Sequence, residues 1–157
     1  MSAIKDEVFL SCAPEKAFRE FADPHFPPKI GFGSGMEIEV LYCDARFVHF
    51  RTTVTRNGTV NRMESERILV PENLTIVTLR RNLAAFKYNI IIDCFAPHES
   101  GTRFTHVDEF QPATETAPSE AALRGMKDLT RLFMDKIRDY FANIHDEEGA
   151  LKDADHN

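Results

Sequence analysis

The sequence predicts an α+β fold, in which a curved antiparallel sheet of seven strands wraps onto a long C-terminal helix. Three observations support this prediction. Seven short segments alternate apolar and polar residues, the pattern of strands with one buried face. Six of them follow one another with only short turns between, which favours antiparallel neighbours. The last segment spaces its apolar residues by three and four, as an amphipathic helix does. Such a sheet leaves room between its concave face and the helix, so we expect an internal cavity.

The N-terminal part is predicted to hold one strand and a pair of helices. Residues 4–10 form the strand, and Pro14 suits the first turn of a helix over residues 15–22. Asp23-Pro24 ends that helix, and the prolines that follow allow at most one further turn. The glycine-rich segment 31–35 resembles a phosphate loop, but it precedes a strand, so no helix N-terminus is present to bind phosphate. We interpret it as a turn.

The remaining strands are predicted at residues 36–42, 47–55, 60–70, 74–81, 86–96 and 102–111. Asn57-Gly58 is a hairpin signal between the second and third of these. In the third, glutamates mark the exposed face, so the alternate positions point inward: Met63, Ser65, Arg67 and Leu69.

The C-terminal helix is predicted over residues 121–144, with Ser119 as its N-cap. We therefore expect one domain, residues 1–145. The remaining residues, 146–157, are polar and acidic and are predicted to form a disordered tail.

Composition restricts the classes of function. The net charge of −6 argues against a nucleic-acid partner and against an anionic membrane surface. No apolar run approaches the roughly 20 residues of a membrane span, and the N-terminus lacks the apolar core of a signal peptide. Cys12, Cys43 and Cys94 are far apart and lack CxxC spacing, so reduced thiols in the cytoplasm are expected and a zinc site is not.

The last strand carries the main functional indication. Phe104, His106, Asp108 and Phe110 share one face, and the opposite face carries charged and amide side chains that suit water. The two phenylalanines make the first face the inner one. Burying imidazole and carboxylate groups there costs several kcal/mol unless they are paired or used in function.

The last two strands can pair in two registers. In the first, Asp93 lies opposite His106, and Asn89, Ile91 and Phe95 share the inner face. A slip of one residue instead turns the other set inward: Tyr88, Ile90, Ile92 and Cys94. We favour the first register, although composition alone does not decide between them.

In the first register, Asp93, His106 and Asp108 form a carboxylate–imidazole–carboxylate cluster, and Arg67 enters from another strand. This cluster has the groups for proton transfer. Two alternatives stay open: a structural network of Arg67 with Asp108 and Asp93 with His106, or a divalent metal site. Ser65 either bonds a ligand oxygen or fills space.

Several motifs then point to a known family: Ala13-Pro-Glu-Lys-Ala-Phe18, Ser65-Glu-Arg67, Phe86-x-Tyr88, Gly101-Thr102 and Val107-Asp-Glu-Phe110. Over about residues 4–145 the chain resembles the helix-grip superfamily, which includes START lipid carriers, the birch-pollen allergen and polyketide cyclases. Within it, the chain is most similar to the aromatase/cyclases of bacterial type II polyketide synthesis, the tetracenomycin cyclase group.

The resemblance implies an activity. Those cyclases hold a linear poly-β-ketone chain, close a ring by aldol addition and then dehydrate it, without a cofactor. Arg67 matches an important inward arginine, and Asp108 matches a polar catalytic position. Asp93 and His106 stand where the tetracenomycin enzyme has pocket tryptophans, and Gly35 stands near the position of a pocket tyrosine. These departures concern the substrate and the ring-closure pattern.

Three hypotheses for the function follow. In the first, Arg67 polarises a ketone or enolate oxygen, while Asp108, or His106 backed by Asp93, moves protons. Substrate-binding candidates are Ser65, Asn89, Met63, Phe32, Phe95, Phe104 and Phe133, and no metal is expected.

The partner would be an acyl carrier protein-bound polyketide or another hydrophobic small molecule. A basic cavity mouth would help a carrier protein to dock; Arg80, Arg81 and Lys87 are candidates. The second hypothesis is a non-catalytic binding or transport protein for a hydrophobic small molecule or lipid. A third, an interaction module, predicts exposed apolar surface instead of a polar cavity.

Overall fold

The computed structural model describes residues 2–33, 35–81, 86–114 and 116–154, with side chains up to Ile144. Its elements in chain order are β1 (Ser2–Leu10), α1 (Pro14–Ala22), α2 (Phe26–Lys29), β2 (Met36–Cys43), β3 (Phe47–Arg56), β4 (Thr59–Val70), β5 (Thr75–Arg81), β6 (Phe86–His98), β7 (Gly101–Pro112) and α3 (Glu120–Ala154).

The strands form a single curved antiparallel sheet in the order β1-β7-β6-β5-β4-β3-β2. From β2 to β7 each strand pairs with its neighbour in sequence, because short turns connect them. β1 completes the sheet by pairing with β7. The core lies between the concave face and the helices, and its α3 side chains are Met134, Ile137 and Phe141. This arrangement confirms the predicted fold class.

The favoured register of the last two strands is confirmed. Asp93 pairs with His106, and Ile91 pairs with Asp108. The alternation along β6 is clear, with Asn89, Ile91, Asp93 and Phe95 all buried. The inner face of β7 is therefore the one predicted, with His106 and Asp108 on it.

Local turn and cap chemistry also agrees with the sequence. Asn57 and Gly58 have φ angles of 50° and 76°, as a tight primed hairpin turn requires. Ser119 Oγ accepts a hydrogen bond from the backbone N–H of Ala122 at 3.1 Å, which makes it the predicted N-cap of α3. Gly33 and Gly35 both have positive φ angles, so the glycine-rich segment is a turn before β2.

The C-terminal helix is longer than predicted. Its apolar stripe stops at Ile144, but the backbone stays helical to Ala154, ten residues beyond the predicted end of the helix at residue 144. Glutamate, alanine, leucine and lysine, which are strong helix formers, are frequent in this segment of the sequence. Residues 155–157 lie outside the described part. Among the described residues, no helix has both the length and the apolar character needed to cross a membrane.

Candidate active site

A cavity of about 150 Å³ lies between the concave face of the sheet, α3 and the segment around α2. One wall is apolar, with Phe32, Phe50 and Phe133 among its residues. The sheet contributes the polar wall, formed by Ser65, Arg67, Arg80, His106 and Asp108. Leu129 of α3 also lines the cavity yet is 54% exposed, which locates an opening beside this helix. The predicted cavity is therefore present.

His106 and Asp93 form a buried pair in this wall. The distance between His106 Nδ1 and Asp93 Oδ1 is 2.6 Å, and the residues are 6% and 2% exposed. Asp93 lies behind the imidazole and does not line the cavity. The Asp93 carboxylate accepts a hydrogen bond from the Nδ1–H group of His106, so Nε2 is the ring nitrogen that is left to contact a ligand.

The environment shifts the pKa of His106 upward. Burial alone would lower the pKa, because it disfavours the charged ring. The charge and hydrogen bond of Asp93 outweigh burial, Asp108 adds to them and Arg80 opposes them, so the pKa rises above the ordinary 6.5. A raised pKa makes the ring a proton donor over more of the neutral range.

Asp108 is held in place by Asn89. The Asn89 Nδ2 group donates a hydrogen bond to Asp108 Oδ1 and a second, at 3.2 Å, to the Glu109 carbonyl oxygen. Asn89 is buried and does not line the cavity. It was predicted to bind substrate, but the structure gives it a supporting position behind Asp108.

Arg67 serves the fold as well as the cavity. Its Nη1 group donates to the carbonyl oxygens of Phe21 at 2.9 Å and Ala22 at 3.2 Å, at the C-terminal end of α1. The negative end of the helix dipole lies there. The guanidinium also lies 5.0 Å from the ring centroid of Phe50. The structural ion pair predicted between Arg67 and Asp108 is not present.

One hydrogen-bond donor of Arg67 has no acceptor among the described residues. Its Nε has no hydrogen-bond partner among the described residues although it is buried. Burial is the main cause that lowers the pKa of Arg67 to about 10; Arg80 adds to this shift, whereas Asp93 and Asp23 oppose it. The guanidinium therefore stays charged at neutral pH in a site where its charge is poorly solvated.

Two further polar groups lie beside Arg67. Ser65 Oγ is buried and lacks a hydrogen-bond partner among the described residues. Arg80 pairs across the sheet with Ser65 and lines the cavity. Of the three candidates for a basic cavity mouth, only Arg80 lines the cavity. The Arg81 side chain donates a hydrogen bond to Glu66 at 3.2 Å, and Lys87 is exposed. The alternation along β5 contained the signal for the inward position of Arg80.

The predicted hydrophobic contacts divide into two groups. Met63, Phe32 and Phe133 line the cavity. Phe95 and Phe104 do not: their ring centroids stack at 4.8 Å in the core. The reason is that α1 covers this end of the sheet with its own phenylalanines, Phe18 at 6.2 Å from Phe95 and Phe21 at 5.3 Å from Phe104.

The metal-site alternative gains no support from geometry. Among the residues that the structure describes, no group of three or more histidine, cysteine, aspartate or glutamate side chains is arranged to hold a metal ion. His106 is instead paired with Asp93, and Asp108 with Asn89. The arrangement is one of hydrogen-bonded acid–base groups next to unpaired donors.

Comparison with known proteins identifies the fold. No protein-family model matches the sequence, and no curated protein matches it either. Among solved structures, the Zhui aromatase/cyclase from Streptomyces sp. R1128 superposes with a TM-score of 0.74 at 14% identity, over 90% of this chain and 93% of that chain.

Two other solved structures represent different branches. Ara h 8.0201 gives a TM-score of 0.72 at 11% identity, over 90% of this chain and 98% of that one. A START superfamily protein from Mycobacterium smegmatis gives 0.68 at 12% identity, over 90% and 97%. The chain therefore has the helix-grip fold, and its structural neighbours include aromatase/cyclases as well as START proteins.

Proposed function

We propose that the protein is a polyketide aromatase/cyclase that closes a ring in a poly-β-ketone by aldol addition and then removes water. The observation that carries this proposal is the His106–Asp93 pair, held at 2.6 Å in the wall of a cavity that also holds Asp108 and Arg67. A pocket that only stores a hydrophobic ligand has no need of two carboxylates, an imidazole and two guanidiniums. Buried ionisable groups in a cleft are typical of catalytic sites.

The geometry supports a division of roles. Asp108, oriented by Asn89, is placed to accept a proton from a methylene between two ketones, which is already acidic. Arg67 and Ser65 offer unpaired donors that bind and orient an oxygen of the substrate. His106, protonated and backed by Asp93, then donates a proton to the departing hydroxyl group. Each step uses side chains of this chain alone.

The cavity limits how much of the substrate can be enclosed. Pockets for drug-sized ligands measure roughly 300–1,000 Å³, and this one measures about 150 Å³. The ring-forming segment of a chain fits inside, and any remainder lies at the opening beside Leu129. Positioning one segment in one geometry is itself a large part of the catalytic effect.

Reconstitution with a minimal polyketide synthase tests the proposal. Adding the wild-type protein should shift the products toward one cyclised aromatic compound. His106→Gln and Asp108→Asn should each lower the rate of that product by roughly a hundredfold or more, since acid–base groups contribute about 10²–10⁴-fold. His98→Gln, on the exposed end of β6, is the matched control and should behave as wild type. Identical product profiles with and without the wild-type protein would refute the cyclase function.

The second candidate function is that of a binding protein for a hydrophobic small molecule. The position of Arg67 favours it, because its Nη1 group already bonds the end of α1 and so serves the fold. Ligand binding that survives in both His106→Gln and Asp108→Asn, with no product change by the wild type, would select this alternative.

Exposed apolar side chains at Val40 and Leu41 on the β2 edge are the feature that an interaction module would use, but such a module does not need ionisable groups in a cavity.

A further inference from the structure

The cavity contains hydrogen-bond donors that the protein does not satisfy itself. Ser65 Oγ and Arg67 Nε are buried and unpaired among the described residues. Within that same part of the chain, no hydrogen bond or salt bridge joins Arg80 to another side chain. A buried polar group without a partner costs about 1–3 kcal/mol, and more when it is charged. Two such groups in one wall, with the half-buried guanidinium of Arg80 beside them, indicate that a ligand completes them.

The three groups are neighbours on the sheet. Ser65 lies directly opposite Arg80 in the pairing of β4 with β5, and Arg67 is the next inward residue along β4. Side chains directly opposite on one face are about 5 Å apart at Cβ, and diagonal ones about 7–8 Å. A hydroxyl and two guanidiniums therefore occupy neighbouring positions in one wall of the cavity, and this set of donors suits an anion with two oxygens.

The charges in the wall leave room for an anion. Asp93 is already paired with His106, and Asp108 is held by Asn89. With His106 protonated, the wall holds the positive groups Arg67, Arg80 and His106 against two carboxylates. One negative charge on a ligand would cancel the remaining positive charge of the wall.

The volume of the cavity limits the size of the apolar part of the ligand. A cavity of about 150 Å³ lined by apolar side chains holds one benzene molecule, and the volume here is about 150 Å³. The rings of Phe32 and Phe133, whose centroids lie 4.7 Å apart, stand on the apolar side. A single flat ring can pack against them while an attached anionic group reaches Ser65.

We propose that the natural ligands are free acids: a short linear poly-β-keto acid as substrate and the monocyclic hydroxybenzoate that it becomes, with the carboxylate held by Ser65, Arg67 and Arg80. This inference rests on the proposed cyclisation and narrows it, because it assigns the chain a free acid in place of a carrier-bound thioester. The carboxylate fixes one end of the substrate, and this end determines which methylene lies beside Asp108.

The reaction balances without an oxidant or a co-reactant. A methylene carbon gives its proton to Asp108 and attacks a ketone carbon, so one C–C bond forms. The ketone oxygen takes that proton from Asp108 and becomes a hydroxyl. The hydroxyl takes a proton from His106 and leaves as water, so one C–O bond breaks. A neighbouring carbon gives a proton to the now neutral His106 as the C=C bond forms, which restores both side chains, and the remaining ketones enolise to phenols. The product equals the substrate minus one water.

Calorimetric binding to the full-length protein tests the ligand class with four probes. Salicylate carries both ring and carboxylate, phenol carries the ring alone, acetate carries the carboxylate alone, and naphthoate carries a second ring. We expect salicylate to bind at least tenfold more tightly than each of the other three. Equal binding of phenol would overturn the carboxylate assignment, equal binding of acetate would overturn the ring, and equal binding of naphthoate would overturn the size limit.

Neighbouring arginines supply a matched pair of variants. Arg80→Gln should weaken salicylate binding roughly tenfold or more, as expected for a lost charged hydrogen bond, and should leave phenol binding unchanged. Arg81→Gln removes the same charge from the outer face and should bind salicylate as wild type does. Equal losses in both variants would mean that overall charge, not this site, attracts the acid. Ser65→Ala is a second probe of the site, and it should weaken salicylate binding severalfold with little effect on folding.

The result is separable from the test of the cyclase function. If salicylate does not bind but the wild-type protein still redirects polyketide products, the free-acid inference fails and the cyclase proposal stands. If salicylate binds as described but the products never change, the acid site stands as a binding site and the cyclase proposal fails.

Discussion

At the scale of single residues, His106 is subject to opposing influences. Burial works against its charged form, whereas Asp93 and Asp108 favour it, and the net effect is a raised pKa. Arg80 is the cation that faces it from β5 and moderates the effect. Across the sheet from His106 lies Asp6 of β1, but its carboxylate accepts a hydrogen bond from Arg131 of α3 at 2.8 Å.

This shift makes stability depend on pH in a defined direction. Because the pKa of His106 is raised on folding from its ordinary 6.5, its stabilising contribution is complete below that value and is lost as pH rises through the folded-state pKa. Urea unfolding of wild type and His106→Gln should therefore differ most at about pH 5–6 and less at higher pH. A pH-independent difference between wild type and His106→Gln would contradict the assigned shift.

Substitutions at Arg67 and at Arg80 should differ in their effect on the stability of the fold. Arg67→Ala leaves the carbonyl oxygens of Phe21 and Ala22 without their donor, so the free energy of unfolding should fall by about 2–3 kcal/mol. Arg80→Ala breaks no hydrogen bond to a described residue and should change it by less than about 1 kcal/mol. Chemical denaturation of both variants measures this contrast. A larger loss for Arg80→Ala than for Arg67→Ala would contradict it.

Much of the site was predictable from alternation and register. Pro97 pairs with Thr102 next to the turn between β6 and β7, and counting back along both strands from that pair places Asp93 opposite His106. The partners of Arg67 were not predictable, because they are backbone oxygens of α1 and no sequence pattern encodes their distance. The same holds for Phe95 and Phe104, whose distance from the cavity depends on how α1 docks.

At the scale of elements, the junction between β1 and β7 depends on a glycine. A Cβ atom placed on Gly101 would lie 2.2 Å from the backbone oxygen of Leu10, at the end of β1. Gly101→Ala must push β1 away and should lower the free energy of unfolding by about 2–4 kcal/mol. Thermal or urea unfolding measures the loss, and an unchanged midpoint would show that β1 moves freely.

A glycine in α3 provides the opposite case. A Cβ on Gly125 would meet no atom within 4 Å, and the residue is exposed in the helix. Gly125→Ala should therefore stabilise the protein by about 0.5–1 kcal/mol, because alanine loses less backbone entropy in a helix. A destabilising result in the same unfolding assay would indicate a contact on this face of α3.

The elements themselves were largely predictable, and one boundary was not. The alternation along β4 predicted that Ser65 and Arg67 face inward, and the Asn57-Gly58 dipeptide predicted the hairpin turn. The end of α3 was missed because we used the apolar stripe, which stops at Ile144, as the sign of the helix end. Helix propensity continues beyond the stripe, and the backbone follows it to Ala154.

At the scale of the whole molecule, we propose that the folded domain ends near residue 145. The core contacts of α3 come from residues such as Met134, Ile137 and Phe141, all upstream of that point. Removing residues 146–157 should leave the unfolding free energy within about 0.5 kcal/mol of wild type. Ligand binding by the shortened chain should also be unchanged. A marked loss of stability would show that the last helical turns contribute to the domain.

The sheet and helices divide the interior into two regions. At the α1 end, Phe18 and Phe21 fill the space over β6 and β7, while the other end stays open as the cavity. The sequence predicted a cavity but not its size, since volume depends on the sum of many side-chain positions. That size, about 150 Å³, is the basis for proposing a ligand with a single ring.

The pairing of β1 with β7 has a consequence for how the protein is made. Ser2 pairs with Phe110 and Leu10 with Thr102, so β1 has no partner strand until β7 has been synthesised. Contacts this distant in sequence slow folding, and an unpaired strand exposed meanwhile can join the wrong chain. The nascent protein therefore completes its sheet only after about a hundred further residues have followed β1.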